Sequence, residues 1–434
     1  MKRVLIVVYY WPPSAGSGVQ RWLKFVKYLR DYGWEPVVYT PLNPDFDLKD
    51  DQLLSEIPPG VEVLKQPIQE PFTWYARLVG KKADAQVNPV MKGDSKLTWK
   101  ARLALWIRAN VFIPDSRMLW IRPSVRYLVS YLKENPVQAL VTTGPPHSMH
   151  LIGLGLKKKI PNLPWLADFR DPWTRIDFYH ELPLEAWADR RHKRLERAVL
   201  QTANRIVVVG KQMQEDLLKD GIEQVDVVTN GFDPADIDLS QPVKPDKKFT
   251  ILHIGMLGKA RSHPIFWHGL HELRQENPDF AQDLEVHIYG VTDPIVQNQI
   301  SGLGETSWVH FLPYVSHEQV IQIQRQARVL LLSINNVPSA KGIITGKIFE
   351  YLAIGRPILC IGPTDGDAAH IVNEAGAGPV VGFEDLKVLK KSVMELYRKW
   401  QAGTDIENQG SFNKYSRKEL CGDIARALNS ISGT

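Results

Sequence analysis

Short apolar runs rich in β-branched residues alternate with amphipathic segments along most of the chain, and this alternation constrains the fold most. The first run, RVLIVVYY, is followed by a loop of small residues and by VQRWLKFVKYLRDYG, where Val19, Trp22, Leu23 and Val26 share one helical face. The next run, EPVVYT, again has the pattern of a strand. Strands that alternate with helices form parallel βαβ units, so we predict an α/β fold.

The alternation runs through two stretches that are separated by a polar segment. Residues 233–248, DPADIDLSQPVKPDKK, carry three prolines and few apolar side chains, as a linker does. We predict a first Rossmann-like domain over 1–235, a linker over 236–248, a second such domain over 249–410 and a final helix within 411–434. Ligands bind beyond the carboxyl ends of parallel strands, so the two domains are expected to face one interdomain cleft.

The N-terminal apolar run stops at Pro12 and Pro13, and it is too short for a signal sequence or a membrane span. The chain of 434 residues has only two cysteines, Cys360 and Cys421. So few cysteines favour a reducing compartment. We therefore expect a cytoplasmic protein.

A basic, tryptophan-rich insertion covers about 74–135. It holds twelve Lys and Arg residues against four Asp and Glu, whereas the whole chain has a net charge of only +5. Trp74, Trp99, Trp106 and Trp120 lie within it. Cations mixed with tryptophan suit an anionic membrane surface, which would place the protein on the inner face of the plasma membrane. A solvated helix pair, packed by its Trp and Leu side chains, is the alternative. No nucleic-acid motif accompanies the charge, so no nucleic-acid partner is expected.

The segment SAKGIITGKIFEYLAIGRP places a helix start, near Lys347, just beyond the strand RVLLLSI. The free N–H groups of a helix N-terminus bind anions, and Gly346 lets a phosphate approach the backbone. Thr345 can cap the helix or donate its hydroxyl. A carboxylate such as Glu350, flanked by apolar residues, suits hydrogen bonding to two sugar hydroxyls. The structural alternatives are that Thr345 only caps the helix and that Glu350 is only an acid favoured near the helix N-terminus.

Two further loops follow predicted strands and carry small or cationic residues. HIGMLGKARSHP comes after a strand of the second domain, and PPSAGSG comes after the first strand of the chain. Together they add the candidate ligands Gly255, Lys259, Arg261, Ser262, Gly16 and Gly18. The glycines do not complete a dinucleotide fingerprint, because Arg21 stands where a third glycine would fall.

With these motifs in order, the sequence resembles the family-4 retaining glycosyltransferases of the GT-B fold. The resemblance rests on PPSAGSGVQRW, ADFRDPW, VVTNGFD, HIGMLGKARS and GKIFEYLAIGRPIL, and it covers nearly the whole chain. It implies two Rossmann-like domains, a nucleotide-sugar donor in the second domain, an acceptor in the first and no required metal or other cofactor. It also implies a C-terminal helix that crosses back to the first domain.

Only some of the family's donor-site residues have a counterpart in this sequence. Glu350 matches the second acid of the E-x7-E motif, which is expected to hold the donor ribose, but Gly342 stands in place of the first acid. Lys341, or the backbone of Gly342 and Ile343, is the expected substitute.

In the phosphate motif of the family, Met256 replaces the usual arginine, so Arg261 or Lys259 is expected to stabilise the leaving group together with Lys347. Where relatives often carry a catalytic histidine, this chain has Arg170 and Asp171, and His147 on the preceding turn is the alternative.

The resemblance implies transfer of a sugar from a nucleoside diphosphate to an acceptor hydroxyl with retention. The acceptor is expected to be a lipid-linked glycan or a precursor in polysaccharide biosynthesis. Two other functions stay open: a nucleotide-sugar epimerase of the GT-B type, and a non-catalytic module that binds sugar nucleotides. The absence of the first acid favours the second of these alternatives.

Overall fold

The computed structural model describes residues 1–46, 48–70, 99–176, 179–237, 242–313, 315, 317–404 and 412–433. The part of the predicted basic insertion over 74–98, including Trp74, lies outside the described residues. The same holds for 238–241 of the predicted linker and for the predicted domain end at 410.

The chain divides into two compact units, and each is described by itself. The first unit comprises Met1–Thr229 and Arg417–Thr434, and the second comprises Asn230–Ser416. The second unit begins before the predicted linker because Phe232 forms a β-bridge with Ser416 and packs in the core of that unit.

The first unit is built on a seven-stranded sheet in the order β3-β2-β1-β4-β5-β6-β7, and every neighbouring pair is parallel. The strands are β1 (Lys2–Val7), β2 (Trp34–Pro41), β3 (Glu62–Gln66), β4 (Ala139–Gly144), β5 (Trp165–Phe169), β6 (Arg205–Val208) and β7 (Val225–Val227). The helices are α1 (Ser17–Tyr28), α2 (Trp99–Asn110), α3 (Met118–Glu134), α4 (Ser148–Lys159), α5 (Ala186–Thr202), α6 (Lys211–Lys219) and the last helix of the chain, α14 (Arg417–Ile431).

Both faces of this sheet are buried. Successive residues of β1 point to opposite sides, and each set packs in its own apolar cluster. Leu5 and Val7 pack in one core cluster, which also contains Trp120 of α3 and Met149 of α4. Val4 and Ile6 pack in the other, which includes residues of α1 and α14. A sheet covered on both faces explains why the strands are continuous apolar runs in the sequence.

The second unit has a six-stranded, all-parallel sheet in the order β10-β9-β8-β11-β12-β13. Its strands are β8 (Phe249–Ile254), β9 (Leu284–Tyr289), β10 (Val309–Leu312), β11 (Val329–Ser333), β12 (Ile358–Ile361) and β13 (Val380–Val381). Its helices are α7 (Pro264–Glu276), α8 (Pro278–Asp283), α9 (Pro294–Ser301), α10 (His317–Gln326), α11 (Lys347–Ile354), α12 (Asp367–Glu374) and α13 (Leu386–Gln401).

The sheet of the second unit is likewise covered on both faces, by two separate apolar clusters. Ile348, Phe349 and Leu352 of α11 are fully buried in one of them, so this short helix is fixed by its apolar face. The two parallel sheets with helices confirm the predicted pair of Rossmann-like domains. Within the described part of the chain, no helix combines the length and the apolar character needed to cross a bilayer.

Candidate functional site

The loop after β8 is shaped by two glycines that approach each other closely. Gly255 has φ +103° and donates its N–H to the main-chain oxygen of Tyr289 at 2.7 Å. Gly290 has φ +112°, and a Cβ at that position would lie 3.0 Å from the oxygen of Gly255. Because L side chains rarely adopt such φ values, glycine is required at both positions. The backbone is thereby held at the carboxyl end of the sheet.

Arg261 lies in a short 3-10 turn, Lys259–Arg261, that is tied to the segment after β11. Its Nε donates to Oδ1 of Asn335 at 2.6 Å, and the hydroxyl of Ser333 donates to its main-chain oxygen. The N–H of Asn336 donates to the oxygen of Ala260 at 2.8 Å. These contacts join the predicted phosphate loop to the neighbouring strand end and fix the base of the arginine side chain.

The start of α11 contributes the second cation of this region. Nζ of Lys347 donates a hydrogen bond to the main-chain oxygen of Ile254, at the end of β8. A Cβ at Gly255 would lie 2.9 Å from the same Nζ, so glycine leaves the space that the lysine occupies. The predicted helix start is confirmed, with Gly346 as the N-cap residue.

Of the two roles open to Thr345, the cap is not formed, because α11 has no side-chain cap hydrogen bond. The hydroxyl of Thr345 is buried and has no partner among the described residues. The first-turn N–H groups of α11 therefore donate no hydrogen bond to a side chain at the N-cap.

Three charged side chains influence one another at this edge of the sheet. Burial, and after it the charge of Arg261, lowers the pKa of Lys347 to about 8, while the carboxylate of Glu350 acts in the opposite direction. Burial also lowers the pKa of Arg261. Two partly buried cations held close together favour binding of an anion that screens their repulsion.

The remaining predicted donor residues lie around this cluster in different environments. Lys259 is exposed, and Gly342 closes a 3-10 turn, Ala340–Gly342. Lys341 forms an ion pair with Asp365 at 2.5 Å. Ser262 is buried, and its hydroxyl oxygen accepts from Nε1 of Trp267 at 2.9 Å. Its side chain therefore faces the protein interior and supports the turn.

Sequence reasoning missed His253 and Asn335. His253 is buried on β8, and burial together with the neighbouring Lys347 lowers its pKa to about 3, so it is neutral at pH 7. A polar residue in the apolar run TILHIG was the available signal. Nothing in the sequence paired Asn335 with Arg261, since their contact depends on the order of the strands.

In the first unit, Arg170 connects three loops at the carboxyl edge of the sheet. Its guanidinium donates to the oxygen of Gly18 at 2.8 Å and to the oxygen of Pro145, and its main-chain N–H donates to the oxygen of Gly144 at 2.9 Å. A Cβ at Gly18 would lie 3.1 Å from the ring of Tyr10. Gly18 is therefore packed against protein atoms, whereas Gly16, with φ +88°, is exposed.

Asp168, which the sequence reasoning did not single out, is a fully buried acid at the centre of this edge. It pairs with Arg21 at 2.9 Å and accepts from Nε1 of Trp22 at 2.7 Å and from the hydroxyl of Thr143 at 2.8 Å. A charged residue within the apolar run PWLADF was the signal, because a buried carboxylate needs a partner. Asp168 fixes the strand that leads to Arg170 and Asp171.

The two candidates for acid–base chemistry in the first unit differ in exposure. Asp171 is exposed in the loop after β5. His147 is buried and stacks on Trp173 with ring centroids 4.7 Å apart. Burial lowers the pKa of His147 well below its usual value, and the neighbouring His150 and Arg170 act in the same direction. A histidine in this setting is neutral at pH 7.

Two sequence-family models match the chain. The model described as "Glycosyltransferase Family 4" matches residues 17–236, and the model described as "Glycosyl transferases group 1" matches residues 248–399. None of the curated protein sequences compared with the chain matches it.

Solved structures share the fold over nearly the whole chain. WaaG, a glycosyltransferase involved in lipopolysaccharide biosynthesis, is 15% identical with a TM-score of 0.56, covering 98% of this chain and 99% of its own. A variant of S. aureus TarM in complex with fondaparinux, α-GlcNAc-glycerol and UDP is 10% identical with a TM-score of 0.58, covering 99% and 100%. A putative UDP-N-acetylglucosamine 2-epimerase from Listeria monocytogenes is 14% identical with a TM-score of 0.51, covering 99% and 96%.

Proposed function

The chain belongs to glycosyltransferase family 4, and from this premise we propose that it moves a sugar from a nucleoside-diphosphate donor to a hydroxyl group of a glycan or lipid-linked acceptor, with retention of the anomeric configuration. One observation carries the proposal: Lys347 and Arg261 lie close together beside the glycine loop after β8, at the carboxyl edge of the second sheet. Ligands of open parallel sheets bind at that edge.

We assign the donor to the second unit. When the bond between the sugar and the diphosphate breaks, its electron pair stays with the diphosphate, and Lys347, Arg261 and Lys259 stabilise the charge that develops. A unit-charge pair at 4 Å contributes about 4 kcal/mol at an effective dielectric constant of 20, whereas a helix N-terminus contributes about 0.3–1 kcal/mol. The cations therefore dominate, and the N–H groups of α11 assist. Glu350 holds the donor ribose.

The first acid of the E-x7-E motif is missing, and we assign its contact with the donor sugar to Asp365. Gly342 has no side chain, but Lys341 beside it is paired with Asp365. Asp365 thus brings a carboxylate to the turn where the motif lacks one. The acceptor is assigned to the first unit, where the exposed Asp171 is the candidate to receive the acceptor proton.

The transfer is proposed to need no divalent metal, because fixed cations supply the charge that a metal ion would otherwise provide. Transfer rates in EDTA and in magnesium chloride test this point. Equal initial rates support it, and a rate that vanishes in EDTA and returns with magnesium contradicts it.

A thermal-shift screen with UDP-, GDP-, ADP- and dTDP-sugars identifies the donor, and transfer to lipid-linked glycans then identifies the acceptor. Binding of UDP by a structural neighbour makes UDP the first nucleotide to test. NMR of the product reports the anomeric configuration. A transferred sugar with inverted configuration contradicts the proposed retention.

The two alternatives are separated by omitting the acceptor. An epimerase converts the UDP-sugar to its epimer without any acceptor, whereas a transferase forms product only when an acceptor is present. A non-catalytic module binds the nucleotide and turns over no acceptor in the panel. The epimerase alternative has a fold-level basis in one structural neighbour.

We further propose that the protein acts in polysaccharide or lipid-linked glycan synthesis in the cytoplasm, docked on an anionic membrane surface. In α2, Trp99 is 70% exposed and Leu103 is 49% exposed, and Leu119 of α3 is 46% exposed. Arg122 and Arg126 are exposed on α3. Large apolar side chains beside cations are the chemistry that an anionic bilayer surface binds.

Co-sedimentation with vesicles tests the docking. Vesicles with phosphatidylglycerol should bind the protein, phosphatidylcholine vesicles should bind it weakly, and the variant with both Trp99→Ala and Leu103→Ser should lose most of the binding. Val291→Ser is the matched control, because Val291 is 68% exposed in the second unit. Equal loss in both variants, or no preference for the anionic lipid, contradicts the docking.

A further inference from the structure

Three metal-ligating side chains meet on the edge of the six-stranded sheet in the second unit. Glu285 and His287 are separated by one residue on β9, so both side chains lie on the same face of the sheet. His310 on the edge strand β10 is the register partner of His287. The parallel pairing therefore brings the imidazole of His310 to the carboxylate and imidazole on β9, although His310 lies on a different strand.

The distances between these groups are short enough for one ion. Nε2 of His287 lies 3.0 Å from Oε2 of Glu285, and the two imidazole rings have centroids 5.3 Å apart. One ligand atom from each residue lies within 4.8 Å of the others. A zinc ion binds nitrogen and oxygen at about 2.0–2.2 Å, so small side-chain rotations bring all three atoms to ligand distance.

The opposite side of β9 explains why these residues are not simply part of the core. Leu284, Val286 and Ile288 alternate with the ligand residues and are buried in the apolar cluster on the other face. Glu285, His287 and His310 are only half-buried. The three groups are thus ordered by the sheet, and an ion can reach them from solvent.

We propose that Glu285, His287 and His310 bind a zinc ion, with water completing the coordination. Two imidazoles and a carboxylate suit a borderline-soft ion such as Zn²⁺ and suit Mg²⁺ poorly. The ion would link the edge strand β10 to β9. None of the three residues belongs to the cation cluster around Lys347, so the zinc site and the proposed sugar transfer rest on different residues.

The test uses the full chain without an affinity tag, after dialysis against a chelator. Titration with zinc chloride, followed by calorimetry, should show one saturable site that is absent with magnesium chloride. His287→Gln and His310→Gln should each weaken zinc binding by about tenfold or more, since removing a ligand exceeds the effect of losing an outer-shell partner. His370→Gln is the matched control, because His370 is an exposed histidine on α12.

A stability measurement keeps the proposal testable if a titration is ambiguous. Saturating zinc should raise the thermal midpoint of the wild-type chain by at least about 2 °C, and it should leave the midpoint of His310→Gln unchanged. Cobalt chloride should give the wild-type chain a visible absorption spectrum that His310→Gln lacks. Circular dichroism identifies variants that are folded, and Glu285→Gln replaces any that is not.

Two results would overturn the proposal. One is zinc binding of equal strength in the wild type, His287→Gln and His310→Gln. The other is no saturable binding by the wild-type chain. Neither result bears on sugar transfer, whose initial rate should be the same with and without zinc, so the two proposals fail separately.

Discussion

Nζ of Lys347 donates a hydrogen bond to the main-chain oxygen of Ile254. This contact joins the first residue of α11 to the last residue of β8, and it keeps the ammonium group at the glycine loop that follows the strand. The lysine is partly buried there beside Arg261, which is why its pKa falls to about 8. The charge state of this lysine should therefore change within an accessible pH range.

Affinity for UDP should fall as the pH rises above about 8. Below that pH Lys347 is already protonated in the free protein, whereas above it binding of the diphosphate must first take up a proton. The loss should approach about tenfold per pH unit, as measured by calorimetry between about pH 7 and 9.5. In Lys347→Arg the slope should disappear, because arginine stays charged. The same slope in both proteins would show that another group is responsible.

Arg261→Ala should reduce turnover more than Glu350→Gln. The arginine acts on charge that appears only as the donor bond breaks, and loss of one such group lowers the turnover number by about 10²–10³. Glu350→Gln keeps the shape and removes one charge from a ribose contact, so it should chiefly raise KM. Steady-state kinetics with the identified donor measure both, and equal losses in turnover number would contradict this ranking.

Gly346→Ala tests whether a phosphate approaches the backbone at the start of α11, and Gly255→Ala tests the strain that a side chain would cause at a positive φ. Gly346 has φ −56°, and a Cβ added there would meet no other atom within 4 Å, so alanine should leave the thermal midpoint unchanged while it weakens donor binding. Gly255 has φ +103°, and a Cβ there would meet Lys347. Gly255→Ala should therefore lower both stability and binding. Unchanged UDP affinity in Gly346→Ala would place the phosphate elsewhere.

Asp168→Ala should destabilise the first unit by about 3–5 kcal/mol, because it leaves the buried guanidinium of Arg21 without its carboxylate. Asp220→Ala is the control: Asp220 pairs with Arg175 at 2.6 Å, but both side chains are nearly half-exposed. Such surface pairs contribute about 0–1 kcal/mol. Urea unfolding followed by fluorescence measures both changes, and similar losses would show that Asp168 is not a structural centre.

Unfolding free energy should fall as the pH decreases below about 6.5. Burial holds the pKa of His253 near 3 and that of His263 near 4, so the folded protein does not bind the protons that the unfolded chain takes up. The contribution of these histidines to the unfolding free energy is therefore fully present above about pH 6.5. It declines toward about pH 4, by about 1.4 kcal/mol per pH unit for each such histidine. Urea midpoints between about pH 7.5 and 5 check this. His263→Gln should flatten the slope, and His370→Gln, an exposed control, should not.

The sequence was sufficient for those parts of the fold that follow from local pattern. Buried strands such as β1 and β11 are continuous apolar runs, and the apolar face of α11 and its start at Lys347 were predicted from periodicity and from the position of Gly346. The edge strand β3 was missed because EVLKQ is polar and only half-buried. The helix α9 was missed although Asp293 and Pro294 are a typical start, with the Asp293 side chain accepting from the N–H of Ile295.

The candidate site was less predictable, because its contacts cross between strands that are adjacent only in space. Arg261 and Lys347 were expected as cations, but the partner of Arg261, Asn335, becomes evident only when β8 and β11 are known to be neighbours. The same reason hid the histidine pair, since no sequence spacing shows that His310 lies opposite His287. Register, more than residue type, determines which polar groups meet.

The return of α14 to the first unit bears on how the protein is made. The chain enters the second unit after Thr229 and leaves it after Ser416, and Leu420, Ile424 and Leu428 then complete the core that begins with Val4 and Ile6. On the ribosome, every residue of the second unit is therefore synthesised before the first unit can close. Until α14 is made, the part of the sheet face that this helix covers stays exposed beside α1, and such transiently exposed apolar surface is prone to aggregation.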